Sequence, residues 1–138
     1  VTIQAQILKL ILELKEKYSL TILFISHDLS VINQIADRVM VMYLGHLVEV
    51  ASTKKLFSNP KHPYTKSLIE TAPQIFRKNK NKIILKGDIP SPINPPSGCV
   101  FRTRCPHASK DGKEANIEMG LVEVEKGHWV DRCATSCN

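Results

Sequence analysis

At 138 residues, with 43% hydrophobic and 23% charged residues, the chain suits one globular domain, or one domain with an appendage. No stretch reaches about 18 uncharged apolar residues and the start lacks a basic-then-apolar leader, so a membrane-spanning or secreted chain is not expected. The net charge of +6 owes much to Arg77, Lys78, Lys80, Lys82 and Lys86, a run that reads as a solvated linker; no aromatic residues interleave it for stacking, which argues against nucleic acid.

The chain opens on Val1 with helical periodicity and no initiator Met, as a truncated protein would. Ile3, Ile7, Leu10, Ile11, Leu14 and Tyr18 recur at three- and four-residue spacing among charged and polar residues, which predicts an amphipathic helix lying on a sheet face. Next comes Leu20–Asp28, Leu-Thr-Ile-Leu-Phe-Ile-Ser-His-Asp. Its apolar part fits a parallel strand buried on both faces, with the polar trio at the carboxyl end, where open α/β sheets place ligand chemistry. Asp28 or Ser30 can cap a helix running to about Arg38. Val39–Leu44 and Leu47–Val50 predict two short strands around Gly45-His46, with Gly at the first central turn position. Ser52 or Thr53 can start a short helix through Leu56 and Phe57, and Pro63 a second one ending at Ala72-Pro73.

Beyond residue 74 the character changes. Residues 75–86 read as a linker. Pro90, Pro92, Pro95, Pro96 and Pro106, with Gly98, then argue against regular structure. Leu121–Glu125 alternates as a strand, and Gly127–Val130 can start its partner. The expected fold is therefore α/β, with an α/β part at 1–74 and a loop-rich, cysteine-bearing part at 87–138.

Two groups of residues carry chemistry. Ser26, His27 and Asp28 are adjacent, so they cannot converge as a nucleophilic triad. A histidine at that place can hydrogen-bond a phosphate or hold a water beside one, or it can simply pack in a loop. None of the six glycines lies in a G-x-x-x-x-G-K-S/T loop, and no apolar strand ends in Asp-Glu, so this chain alone has no means of holding a nucleotide. Cys99, Cys105, Cys133 and Cys137 suit tetrahedral zinc or an iron–sulfur cluster, with His107 and His128 as substitute ligands, or else remain free thiols.

These residues, in order, resemble a known family. Leu23-Phe24-Ile25-Ser26-His27-Asp28-Leu29-Ser30 and Ile35-Ala36-Asp37-Arg38-Val39 look like the ATPase domain of ABC transporters, downstream of its nucleotide-binding motifs. Val41–Gly45, Val48-Glu49 and Asn59–Thr65 narrow the match. So do Gly87–Pro92, Pro95–Cys99, Arg104-Cys105-Pro106 and Gly127–Val130 with Cys133. Together they resemble the ATP-binding subunits of oligopeptide/dipeptide ABC importers, including their C-terminal extension.

The resemblance implies the C-terminal part of a P-loop-type ATPase domain followed by that extension. It makes His27 the switch histidine that contacts the γ-phosphate of ATP, with Mg²⁺ held by residues upstream of Val1. It implies a second ATP-binding subunit, membrane-spanning permease subunits and, indirectly, a peptide-binding protein, at the cytoplasmic face of the cell membrane, with no nucleic acid. In the extension it implies a [4Fe–4S] cluster, for which Cys99, Cys105 and Cys133 match family cysteines. The other family cysteine falls near Gly112, and Cys137 is the candidate replacement. Competing readings are a free-standing iron–sulfur or zinc-binding module and an inactive remnant. A sheet lacking its other strands would leave apolar faces exposed, and the isolated chain is expected to be poorly soluble.

Overall fold

The computed structural model describes residues 2–72, 85 and 87–136. The basic run, the rest of the expected linker, and Cys137 lie outside the described residues.

The first helix, α1 (Ile3–Lys17), forms as its periodicity predicts. Thr2 caps it, its hydroxyl accepting from the Ala5 amide, and Lys15 and Lys17 stand in its last turn, where cations oppose the helix dipole. None of its residues is buried. Lys15 pairs with Asp37, fixing the helix end to the start of the sheet.

The expected buried strand at Leu20–Ile25 is not formed. The segment has no regular secondary structure and no strand pairing, and Leu23 and Ile25 are 77% and 89% exposed. A parallel strand exists only through hydrogen bonds to a neighbouring parallel strand. The sheet of the described residues offers none, being antiparallel throughout. Phe24 is the residue of the stretch that packs against the core.

Helix α2 (Leu29–Ile35) begins at Asp28, whose Oδ1 accepts from the Ser30 amide at 2.8 Å and the Val31 amide at 3.4 Å. It ends at Ile35, earlier than expected, because Arg38 already belongs to β1 (Arg38–Tyr43). In β1, Val39, Val41 and Tyr43 are buried while Arg38, Met40 and Met42 face out, the alternation of a half-buried strand. The turn to β2 (His46–Ser52) is Leu44-Gly45, with Tyr43 opposite His46. Both turn residues have positive φ, 47° and 80°, the pattern a primed two-residue hairpin requires. Gly45 thus holds the second central position, not the first.

Helix α3 (Thr53–Ser58) starts without a side-chain cap; the Thr53 hydroxyl instead donates to the Ala36 carbonyl, tying α3 to the end of α2. Helix α4 (Pro63–Thr71) has Pro63 in its first turn and is capped by His62, whose Nδ1 accepts from the Tyr64 amide at 3.1 Å. After the proline-rich loop, a 3₁₀ turn covers Lys113–Asn116. Strands β3 (Leu121–Glu125) and β4 (His128–Asp131) form the second expected hairpin, and α5 (Arg132–Ser136) follows directly.

The sheet order is β1-β2-β4-β3, with Glu49 opposite Val130 and Val50 opposite Trp129. Strands from before residue 74 and after residue 87 therefore share one sheet. They also share one core, in which Val39, Val41, Tyr43, Val48 and Leu56 pack with Cys99, Val100, Phe101 and Cys133. The molecule is mixed helix and sheet as expected, but its sheet is small and antiparallel.

Candidate functional site

His27 lies on the exposed bend between the apolar stretch and α2. Its neighbours are committed to shaping that bend: Ser26 Oγ accepts from the Asp28 amide at 3.0 Å, and the Asp28 carboxylate caps α2. The bend and the end of α4 line an open cavity of about 280 Å³, formed by His27, Asp28, Leu29, Leu68, Thr71 and Ala72. Asp28 is thus the cap the sequence suggested. His27 is left facing solvent, able to donate to an anionic oxygen or to accept from a water.

The second group of polar residues is buried, and the sequence did not mark it as a unit. Glu49, His128, His62 and Thr65 are almost wholly enclosed. Glu49 Oε1 meets His128 Nε2 at 2.7 Å and accepts from the Lys61 amide at 2.8 Å; Oε2 accepts from the His62 amide at 2.9 Å. Burial, and secondarily the Lys66 charge, pushes His62 down from 6.5 to about 4, so its ring is neutral and Nδ1 can accept at the α4 cap. Phe101 lies 5.3 Å from the His62 ring and stands edge-on to Tyr43 at 5.1 Å. A buried glutamate with three donors is a structural knot, since each lone pair directed inward finds a partner. The signal for it was a glutamate inside the apolar run Val48–Ala51, at a strand position that in isolation reads as the solvent face.

The third group gathers Cys99, Asp131 and Cys133, all buried, with one ligand atom from each within 4.8 Å of the others. Gly98 places Cys99: its φ is +66°, and a Cβ there would stand 2.2 Å from the Glu114 carbonyl oxygen. That same oxygen accepts from the Cys99 amide at 2.9 Å. Glu114 is anchored in turn by Ser109, through its amide at 2.8 Å and its hydroxyl at 3.0 Å; that backbone amide leads the causes that lower its carboxyl. Asp131 ends β4, with Oδ1 accepting from the Gly120 amide at 3.0 Å and the backbone amides of Arg132 and Cys133 answering the carboxylate. Burial pushes its carboxyl up, against the pull of nearby backbone amides. The hydrogen bond with Cys133 is the main cause that lowers the Cys99 thiol.

Of the cysteines expected to act together, the structure brings Cys99 and Cys133 into one group. Cys105 is half-buried against the hydrophobic core and is not a member of it. Cys137 lies outside the described residues. At the position where the resemblance expects a further cysteine, Gly112 has φ +68° and open space around it. Among the described residues, Cys99 and Cys133 thus share a group that Cys105 does not join. His128, a candidate substitute ligand, is engaged with Glu49.

Comparison with known proteins agrees with the order of these motifs. Residues 48–111 match the family model described as the oligopeptide/dipeptide transporter, C-terminal region. Those residues run from the start of the Glu49 knot through the Gly98–Cys99 turn. The chain is 51% identical over 133 residues to the oligopeptide transport ATP-binding protein AppF of Bacillus subtilis, covering 94% of this chain and 40% of that protein. It is 50% identical over 114 residues to the oligopeptide transport ATP-binding protein OppF of Salmonella typhimurium, covering 80% of this chain and 34% of that protein. The chain thus spans about two fifths of the length of such relatives. By these matches the chain is similar over nearly its whole length to ATP-binding proteins of oligopeptide transport, and its residues 48–111 match the C-terminal region of the oligopeptide/dipeptide transporter family.

Proposed function

We propose that this chain acts as part of the energy-coupling subunit of an ABC peptide importer, in which ATP hydrolysis drives uptake of oligopeptides or dipeptides. The observation that carries the reading is continuous similarity to peptide-transport ATP-binding proteins over 94% of the chain, with His27 exposed at the bend before α2. His27 is the switch histidine: its imidazole donates to the γ-phosphate and accepts from the attacking water, positioning both for in-line displacement. Asp28 supports that role indirectly, by capping α2 and fixing the bend. The chain contains neither a phosphate-binding loop nor an Asp-Glu strand end, so the ATP and Mg²⁺ contacts come from other segments of the subunit. Its partners are a second ATP-binding subunit and membrane-spanning permease subunits, with a peptide-binding protein reached through them, at the cytoplasmic face of the membrane. No described helix is long and apolar enough to cross a membrane, in keeping with peripheral attachment.

Sequencing upstream of the Val1 codon tests the reading. An open frame encoding the phosphate-binding loop is expected, and an in-frame stop close upstream overturns it. In the full subunit, His27→Ala is expected to lower ATP turnover by about 100-fold or more, with ATP binding retained. Unchanged turnover removes His27 from the mechanism.

A further inference from the structure

Helix α4 is anchored at its start on the β3–β4 hairpin, and its end borders the bend at His27. At the start, Glu49 takes the amides of Lys61 and His62, the last two before Pro63, at 2.8 and 2.9 Å. The same carboxylate meets His128 Nε2 of β4 at 2.7 Å, with neither side chain exposed. Glu125 of β3 grips this segment from outside, through Lys61 Nζ at 2.7 Å and Asn59 Nδ2 at 3.4 Å. Those outer contacts are partly exposed and contribute little beside the buried one. At the other end, Leu68, Thr71 and Ala72 line the open cavity of about 280 Å³ together with His27 and Asp28.

Coupling between separate places in a fold is carried by chains of contacts and rigid elements. Helix α4 has nine residues and is about 13 Å long at 1.5 Å per residue. A tilt of about 5° at its start therefore moves its far end by about 1 Å. Misplacement on that scale at a reacting centre can cost about 100-fold in rate. Open space between the end of α4 and the bend leaves that end room to shift, so the hold at the start sets the room beside His27.

We propose that Glu49 and His128 are positioning residues for His27, acting through α4, so that the β3–β4 hairpin sets the space beside the switch histidine. The inference rests on the reading of His27 given above. Neither Glu49 nor His128 lines the cavity, so their effect passes through the helix. The C-terminal part thereby takes a share in the reaction without touching the nucleotide.

Steady-state ATP hydrolysis by the full subunit tests the proposal, with each variant made in the parent and in a His27→Ala background. His128→Leu removes the donor and is expected to lower kcat about tenfold, with KM for ATP changed less than about twofold. His128→Gln keeps a donor for Glu49 and is expected to restore most of kcat. Where His128→Leu does not fold, His128→Asn, whose donor reaches less far, takes its place with the same expectation. Ala72→Leu crowds the cavity from the far end of α4, away from Glu49, and is expected to lower kcat in the same way. In the His27→Ala background each variant is expected to change the residual turnover by less than about twofold, because the residue they act through is gone. A general loss of stability would instead lower turnover equally in both backgrounds. The proposal is overturned by an unchanged kcat in the His128 or Ala72 variants, or by equal losses in both backgrounds. Unchanged turnover in His27→Ala itself removes the reading of His27 and this inference with it; a loss confined to His27→Ala removes the inference alone.

Discussion

Glu49 and His128 are separated by 79 positions in the chain and meet at 2.7 Å, carboxylate oxygen against Nε2, with neither side chain exposed. The contact joins β2 to β4, the central pair of the sheet. Glu49 also receives the amides of Lys61 and His62. The same carboxylate therefore sets the approach to α4 and the pairing of the two hairpins.

Removing that carboxylate takes the partner from three groups, of which His128 Nε2 and the His62 amide are buried. Glu49→Ala is expected to destabilise the fold by about 3–5 kcal/mol, measured by chemical denaturation. A double-mutant cycle with His128→Ala should return a coupling of about 1–3 kcal/mol. Strict additivity of the two substitutions would show that the pair does not act as a unit.

The pH response of His62 has a definite sign. Its pKa is about 4 in the folded chain against 6.5 for the free side chain, so between these values the unfolded state binds more protons. Stability from this residue is complete above about pH 6.5 and is lost as pH falls toward 4. From the two values, the loss between pH 7.5 and pH 5 is about 2 kcal/mol. Denaturation midpoints measured across this range test it, and His62→Gln should flatten the slope.

Gly98 and Gly112 have nearly the same φ, +66° and +68°, but different surroundings. Gly98→Ala drives a Cβ into the Glu114 carbonyl and should cost about 3 kcal/mol or more, because backbone must move. Gly112→Ala meets open space and should cost only about 1 kcal/mol, the strain of a left-handed alanine. Equal losses in thermal or denaturant unfolding would show that crowding at Gly98 is relieved easily.

The apolar stretch before His27 makes a surface prediction. Leu20, Ile22, Leu23 and Ile25 are all exposed, as are Ile3, Ile7 and Leu10 of α1. Contiguous apolar surface of this kind promotes association. The isolated chain should bind a hydrophobic dye and sediment as aggregates, and Leu23→Ser with Ile25→Ser should reduce both. A monomer with no dye binding at high concentration would contradict this.

Local signals were legible in the sequence. The period of α1, the apolar run of β1, the alternation of β3, Asp28 as a cap, Pro63 at a helix start and the two hairpins all depend on neighbours within a few residues, and they formed near where the pattern put them. The motifs from Leu23 to Cys133 likewise pointed to peptide-transport ATP-binding proteins, to which the chain is similar over 94% of its length. What tertiary structure decided was pairing. Leu20–Ile25 has the composition of a buried strand but lacks partners among the described strands, and a strand is a property of at least two segments. Glu49 reads alone as a surface acid, yet the docking of β4 against β2 buries it on His128. Asp131 joins Cys99 and Cys133 for the same reason. Spacing along the chain carries no record of which distant side chains share a desolvated space, and that sharing determines which polar groups become a site.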